Sequence, residues 1–74
     1  MKHVLIIKGL EKEEKALKYN QAVSLVEDMI GGLKKPIKIT IEERKTKLIF
    51  IIKSKKQNPE YDVMIIKIKE LFEW

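Results

Sequence analysis

A chain of 74 residues allows one small domain, and a domain of that size buries only about 60–65% of its unfolded surface, so its stability is marginal. Sixteen Lys or Arg against eleven Asp or Glu give a net charge of +5, with a single histidine and no cysteine. Disulfides, thiolate metal sites and cysteine nucleophiles are thereby excluded, and a zinc site would need mostly carboxylates. Domains this small usually rely on a disulfide, a metal or a partner chain, so oligomerisation is the device expected here. The longest apolar run, Leu48 to Ile52, is five residues, against the ~20 needed to span a bilayer. Met1-Lys2-His3 and the four apolar residues after it lack the ~7–15-residue core of a signal peptide. A soluble, cytoplasmic protein is the expectation, and the heavy use of Lys, Glu and Ile fits a thermophile composition.

In chain order, the first strand runs from Lys2 to Lys8 and ends at Gly9. A helix follows over Glu11 to Ile30. Its apolar residues Ala16, Tyr19, Val23, Val26 and Ile30 recur at intervals of three and four, with Ala22, Leu25 and Met29 beside them. At about 100° per residue the two rows share one face wide enough to lie on a sheet. Glu11, Glu13 and Glu14 suit the positive end of the helix dipole, and Gly31-Gly32 predicts a left-handed cap. Pro36 opens strand two, Ile37 to Glu42. A short turn through Glu43, Arg44 and Lys45 leads to strand three, Lys47 to Lys53, predicting an antiparallel hairpin. The last segment carries two signals. Asn58-Pro59-Glu60 is a helix start, and Tyr61, Met64, Ile65, Ile68, Leu71 and Phe72 form a helical stripe. Val63, Ile65, Ile66 and Ile68 favour strand. Helix is the expectation, with Val63, Ile66 and Trp74 off the stripe and exposed.

These elements make an α+β domain, β-α-β-β-α, covering residues 1–74: a three-stranded antiparallel sheet of order 2-3-1 with two helices on one face. Strands one and three are apolar on both alternating faces, whereas Ile37 to Glu42 is apolar on one. A strand without alternation must be covered on both sides. Two helices cover only one side, so an apolar row from each of strands one and three faces outward and marks an interaction surface. The candidate oligomer interface is Val4, Ile6, Ile49 and Ile51, with Val63, Ile66 and Trp74.

The positive charge belongs to residues 31–57, which hold nine Lys or Arg against two Glu. The topology gathers Lys2, Lys34, Lys35, Lys53, Lys55 and Lys56 at one end of the sheet, beside the first amides of the last helix. That combination is a candidate edge for phosphate or a nucleic-acid backbone, although no aromatic side chain for stacking bases interleaves the lysines. A solubilising lysine surface is the competing account.

Chemistry has little to build on. His3 stands alone near a strand start, and Ser24 and Ser54 have no base arranged for them. Glu42-Glu43 and Glu27-Asp28 are solvated neighbours without the apolar setting that shifts a carboxyl pKa. Gly31-Gly32 lacks the strand and spacing of a phosphate loop. No enzyme activity, cofactor, metal or small-molecule substrate is expected.

The element order resembles that of the small dimerising subunit of the archaeal KEOPS tRNA-modification complex, which pairs through its sheet and helices. It is also similar to the core of KH-type RNA-binding domains, without the Gly-x-x-Gly loop that those need between helices. Both likenesses are of topology and transfer no residue. The function expected is a non-enzymatic accessory subunit, acting as a homodimer or inside a larger complex. The alternative is a small basic nucleic-acid-binding module, RNA ahead of DNA.

Overall fold

Residues 1–32 and 37–72 are described in the computed structural model. Five elements follow one another: β1 (Lys2–Ile7), α1 (Lys12–Gly31), β2 (Ile37–Glu43), β3 (Leu48–Ser54) and α2 (Pro59–Leu71). The final segment is therefore helix. Its β-branched residues yield to the start signal: Asn58 Oδ1 accepts from Tyr61 N at 2.8 Å, and Pro59 occupies the first turn. The sheet has the order β1-β3-β2, with both pairings antiparallel.

β3 is central because it is the strand that needs cover on every side. Its alternate residues Leu48, Phe50 and Ile52 are wholly buried. In register beside them, Leu5 faces Phe50 and Ile7 faces Leu48 on β1, while Ile39 faces Ile52 and Ile41 faces Phe50 on β2. Both helices lie over this face. α1 contributes Ala22, and α2 contributes Tyr61, Met64, Ile65 and Ile68 to the same cluster. The Phe72 ring closes one end, edge-on to Phe50 at 5.4 Å between centroids. Among the described residues no helix is long and apolar enough to cross a membrane.

Two local expectations are corrected. Gly32, which caps α1, has φ −99 and is not left-handed; its N–H turns back to Met29 O at 3.2 Å instead, tightening the last turn. The positive φ among the glycines is at Gly9 (φ 77), where the chain leaves β1, a conformation that costs glycine little. The buried face of α1 is also rotated. Ala16 and Ile30 are exposed, while Tyr19, Leu25 and Met29 pack beside Ala22. Lys15 takes a place on the packed side because its ammonium group donates to Arg44 O at 2.9 Å and Lys45 O at 3.0 Å and pairs with Glu43 at 3.3 Å. Carbonyls at the tip of a tight turn need donors, and apolar periodicity does not register a lysine that supplies them. Pro36, expected to open β2, lies outside the described residues.

The turn into α2 is a small closed network. Ser54 and Asn58 are both buried. Ser54 Oγ donates to Lys56 O at 2.7 Å, and Asn58 Nδ2 reaches Ser54 Oγ and Lys56 O, each at 3.3 Å. Asn58→Ala removes the helix cap and strands these partners, so urea denaturation should show a loss of about 1–2 kcal/mol. A loss below a few tenths of a kcal/mol would mean that the network contributes nothing.

Candidate interaction surfaces

The face of the sheet turned away from the helices is bare, and the register arranges its side chains in three cross-strand rows. Lys2, Lys53 and Lys38 stand side by side at one end. Val4, Ile51 and Thr40 form the next row, and Ile6, Ile49 and Glu42 the third. Val4 is 45% exposed and Ile6 40% exposed, whereas Ile49 and Ile51 are half-buried between their neighbours. The carboxylate of Glu42 is engaged by Arg44 Nη2 at 3.3 Å. An apolar patch of four residues from β1 and β3 thus lies beside three adjacent ammonium groups with no carboxylate among them.

Of the six lysines expected at one end, the structure places Lys2 and Lys53 opposite each other and Lys55 and Lys56 in the turn that follows β3. Lys34 and Lys35 lie outside the described residues, as does Trp74. Lys38 is the member that sequence reasoning missed. Within an alternating strand it reads as an ordinary solvated position, and only the register brings it against Lys53. A shallow depression of about 350 Å³ lies here, lined by Ile37, Lys38, Lys53, Ser54 and Lys55.

The start of α2 adds little to this positive end. Pro59 has no N–H, Tyr61 N is capped by Asn58, and Asp62 N donates to Asn58 O at 3.3 Å. Glu60 and Asp62 already occupy its first turn. Any anion affinity therefore rests on the lysine side chains.

A second exposed apolar strip runs along α2 and the start of β1. Met1 is 58%, Val63 49% and Ile66 54% exposed. Between these elements a groove of about 540 Å³ is lined by Met1, Lys2, His3, Tyr61, Ile65 and Ile66, with Gln57 and Asp62 at its end. His3 is half-buried there. Burial, and then the charge of Asp62, push the Tyr61 hydroxyl above its ordinary value of 10.0, and the Asp62 carboxylate is held by Gln57 Nε2.

Compared with models of known protein families, with curated proteins and with solved structures, the chain finds no match.

Two measurements check these electrostatics. Like charges directly opposite each other in a sheet are destabilising, so Lys53→Gln should raise stability by about 0.2–1 kcal/mol at low salt. That gain should fade as salt is added, because exposed charges are screened within about 10 Å at 0.1 M. A gain independent of salt would locate its cause elsewhere. The Tyr61 pKa is raised in the folded state, so the folded protein holds its proton more tightly than the unfolded chain does. The Tyr61 contribution to stability should be flat below the ordinary tyrosine value and fall as pH rises through and above about 10. Tyr61→Phe should remove that component of the alkaline loss.

Proposed function

We propose that this chain is a non-enzymatic interaction subunit that works in an assembled state, with further copies of itself or within a larger complex. One observation carries the reading. Helices cover a single face of the sheet, and Met1, Val4, Ile6, Val63 and Ile66 remain exposed on β1 and the adjoining side of α2. A small domain gains most from burying such surface against another chain. Light scattering at micromolar concentration should show a dimer or a larger species. A stable monomer of 8.7 kDa at that concentration would overturn self-assembly.

The lysine row favours a second reading, contact with a nucleic-acid backbone, RNA ahead of DNA. Three aligned ammonium groups that repel one another in the free protein are relieved by phosphates. Binding of this kind weakens steeply with salt, with a log–log slope of about −0.7 to −0.9 per phosphate contact. Replacing Lys38, Lys53 and Lys55 together with Glu should abolish it while circular dichroism stays unchanged. No binding of single- or double-stranded RNA or DNA at about 50 mM salt, where such contacts are strongest, would return the row to a solubilising role.

A further inference from the structure

The two edges of the sheet are not alike. In the β1–β3 ladder Ser54 N donates to Met1 O at 2.9 Å, and the Met1 ammonium group donates to Ser54 O. Residues of an antiparallel pair alternate between exchanging bonds and turning away. The register therefore gives His3, Leu5 and Ile7 to β3 and points the backbone N–H and C=O groups of Lys2, Val4 and Ile6 outward. No described strand pairs with them. On the opposite edge, Arg44 N donates to Lys47 O at 3.0 Å, so Ile37, Ile39, Ile41 and Glu43 of β2 point outward by the same alternation.

Edge strands are ordinarily kept from pairing by charge, proline, bulges or cover. β2 has such protection. Lys38 and Glu42 flank its outward groups, α1 packs against it, and Lys15 crosses its end to Glu43 and the turn carbonyls. β1 is less protected, with a lysine only at its first position, Lys2. It carries no acidic or basic residue other than His3 between Lys2 and Lys8, no proline and no bulge, and the exposed Met1 and Ile66 lie along it.

We infer that the β1 edge pairs antiparallel with the β1 edge of a second copy, about a two-fold axis at Val4, making one continuous six-stranded sheet. The inference rests on the assembled reading above and names its surface. Charge selects the partner and the register. With the axis at Val4, Val4 pairs with itself and Lys2 faces Ile6 of the other copy; three such pairs at two bonds each give about six backbone hydrogen bonds. A parallel pairing in the same register would set Lys2 beside Lys2, and a shift of the antiparallel register by one pair would set Lys2 against Lys8. Stacking two bare faces would instead bury the Lys2-Lys53-Lys38 row of each copy against a surface whose one carboxylate, Glu42, already holds Arg44. Edge pairing leaves all those ammonium groups in water.

Size agrees with a modest dimer. Six strand residues at about 3.3 Å each make a seam roughly 20 Å long. Standard complexes bury about 800 Å² per partner, and one strand seam flanked by a helix is a small interface by that measure, so association at micromolar concentration is expected. The two apolar patches of the bare faces then lie next to each other as a single platform.

Four variants and one exchange measurement decide it. Val4→Pro removes an outward N–H that the β1–β3 ladder does not use, so the chain should keep its circular dichroism and sediment as a monomer where the native protein is a dimer. Should proline unfold the strand, Ile6→Lys decides instead: it sets a second ammonium group against Lys2 of the other copy and should weaken the dimer about tenfold or more. Adding Lys2→Glu to that variant should restore the dimer. Ile51→Lys, in the centre of the bare face, should leave it intact. By hydrogen exchange, the Val4 and Ile6 amides should become protected as concentration rises. A native protein that is monomeric throughout overturns both the assembled reading and the edge pairing. A dimer that survives Ile6→Lys, dissociates with Ile51→Lys or leaves the Val4 amide unprotected overturns the edge pairing and keeps the assembled reading.

Discussion

The whole molecule depends on β3 being apolar on both faces in a chain that owns helices enough for one. Leu48, Phe50 and Ile52 take the covered face and are wholly buried there, and the position they demand makes β3 the middle strand. β1 and β2 then have to be the edges, and α1 and α2 have to lie side by side over the face where Phe50 is. Ile49 and Ile51 are carried to the other face by the two-residue period of the strand. They are half-buried only because Val4, Ile6, Thr40 and Glu42 stand around them. Among the described residues nothing covers this second set, and a one-residue shift of register would exchange the two faces without removing either.

Polar contacts fasten the two ends of that arrangement. At the hairpin end, Lys15 of α1 holds the turn carbonyls and Glu43 together, while Lys18 Nζ donates to Leu71 O at 3.3 Å and lies 5.9 Å from the centre of the Phe72 ring. Two lysines therefore tie α1 to the hairpin and to the end of α2, with their stems on apolar surface. At the other end, Ser54 and Asn58 close the turn into α2, and Asn58 caps the Tyr61 amide. The same end carries Lys2, Lys53 and Lys38 in a row whose repulsion the fold tolerates because the side chains reach into water. A surface that is both uncovered and internally repulsive is arranged for something outside the chain, whether a solvent shell, a phosphate or a protein.

Edge pairing and anion contact are compatible, since they use different atoms. The first uses the outward backbone of β1, and the second uses lysine side chains on the bare face. A six-stranded sheet would carry two lysine rows related by the two-fold axis, at opposite ends of one platform, with the apolar patches between them. This geometry gives the proposed accessory-subunit and nucleic-acid readings a common physical frame, in which the β1 edge would supply affinity through backbone pairing and the lysine rows through charge.

The amino-acid sequence by itself determined the element order, the antiparallel hairpin, the strand order and the placing of both helices on one face. These follow from local signals that need no neighbours: apolar periods of two and of three to four, the Asn58-Pro59 start, and a connection too short for anything but a hairpin. It also marked Val4, Ile6, Ile49 and Ile51 as one outward patch, because alternation along a strand is a local property. What only the tertiary structure decided was whatever depends on which residue stands opposite which. Lys38 joined Lys2 and Lys53 through a register that no single strand encodes. Lys15 displaced Ala16 from the packed side of α1 because the turn carbonyls it serves are distant in sequence. Two of the amides at the start of α2, those of Tyr61 and Asp62, proved occupied, and the two sheet edges proved unequal, since the ladder alone settles which backbone groups point outward. Side-chain period is written along the chain, whereas opposition across strands and between layers exists only once they have met.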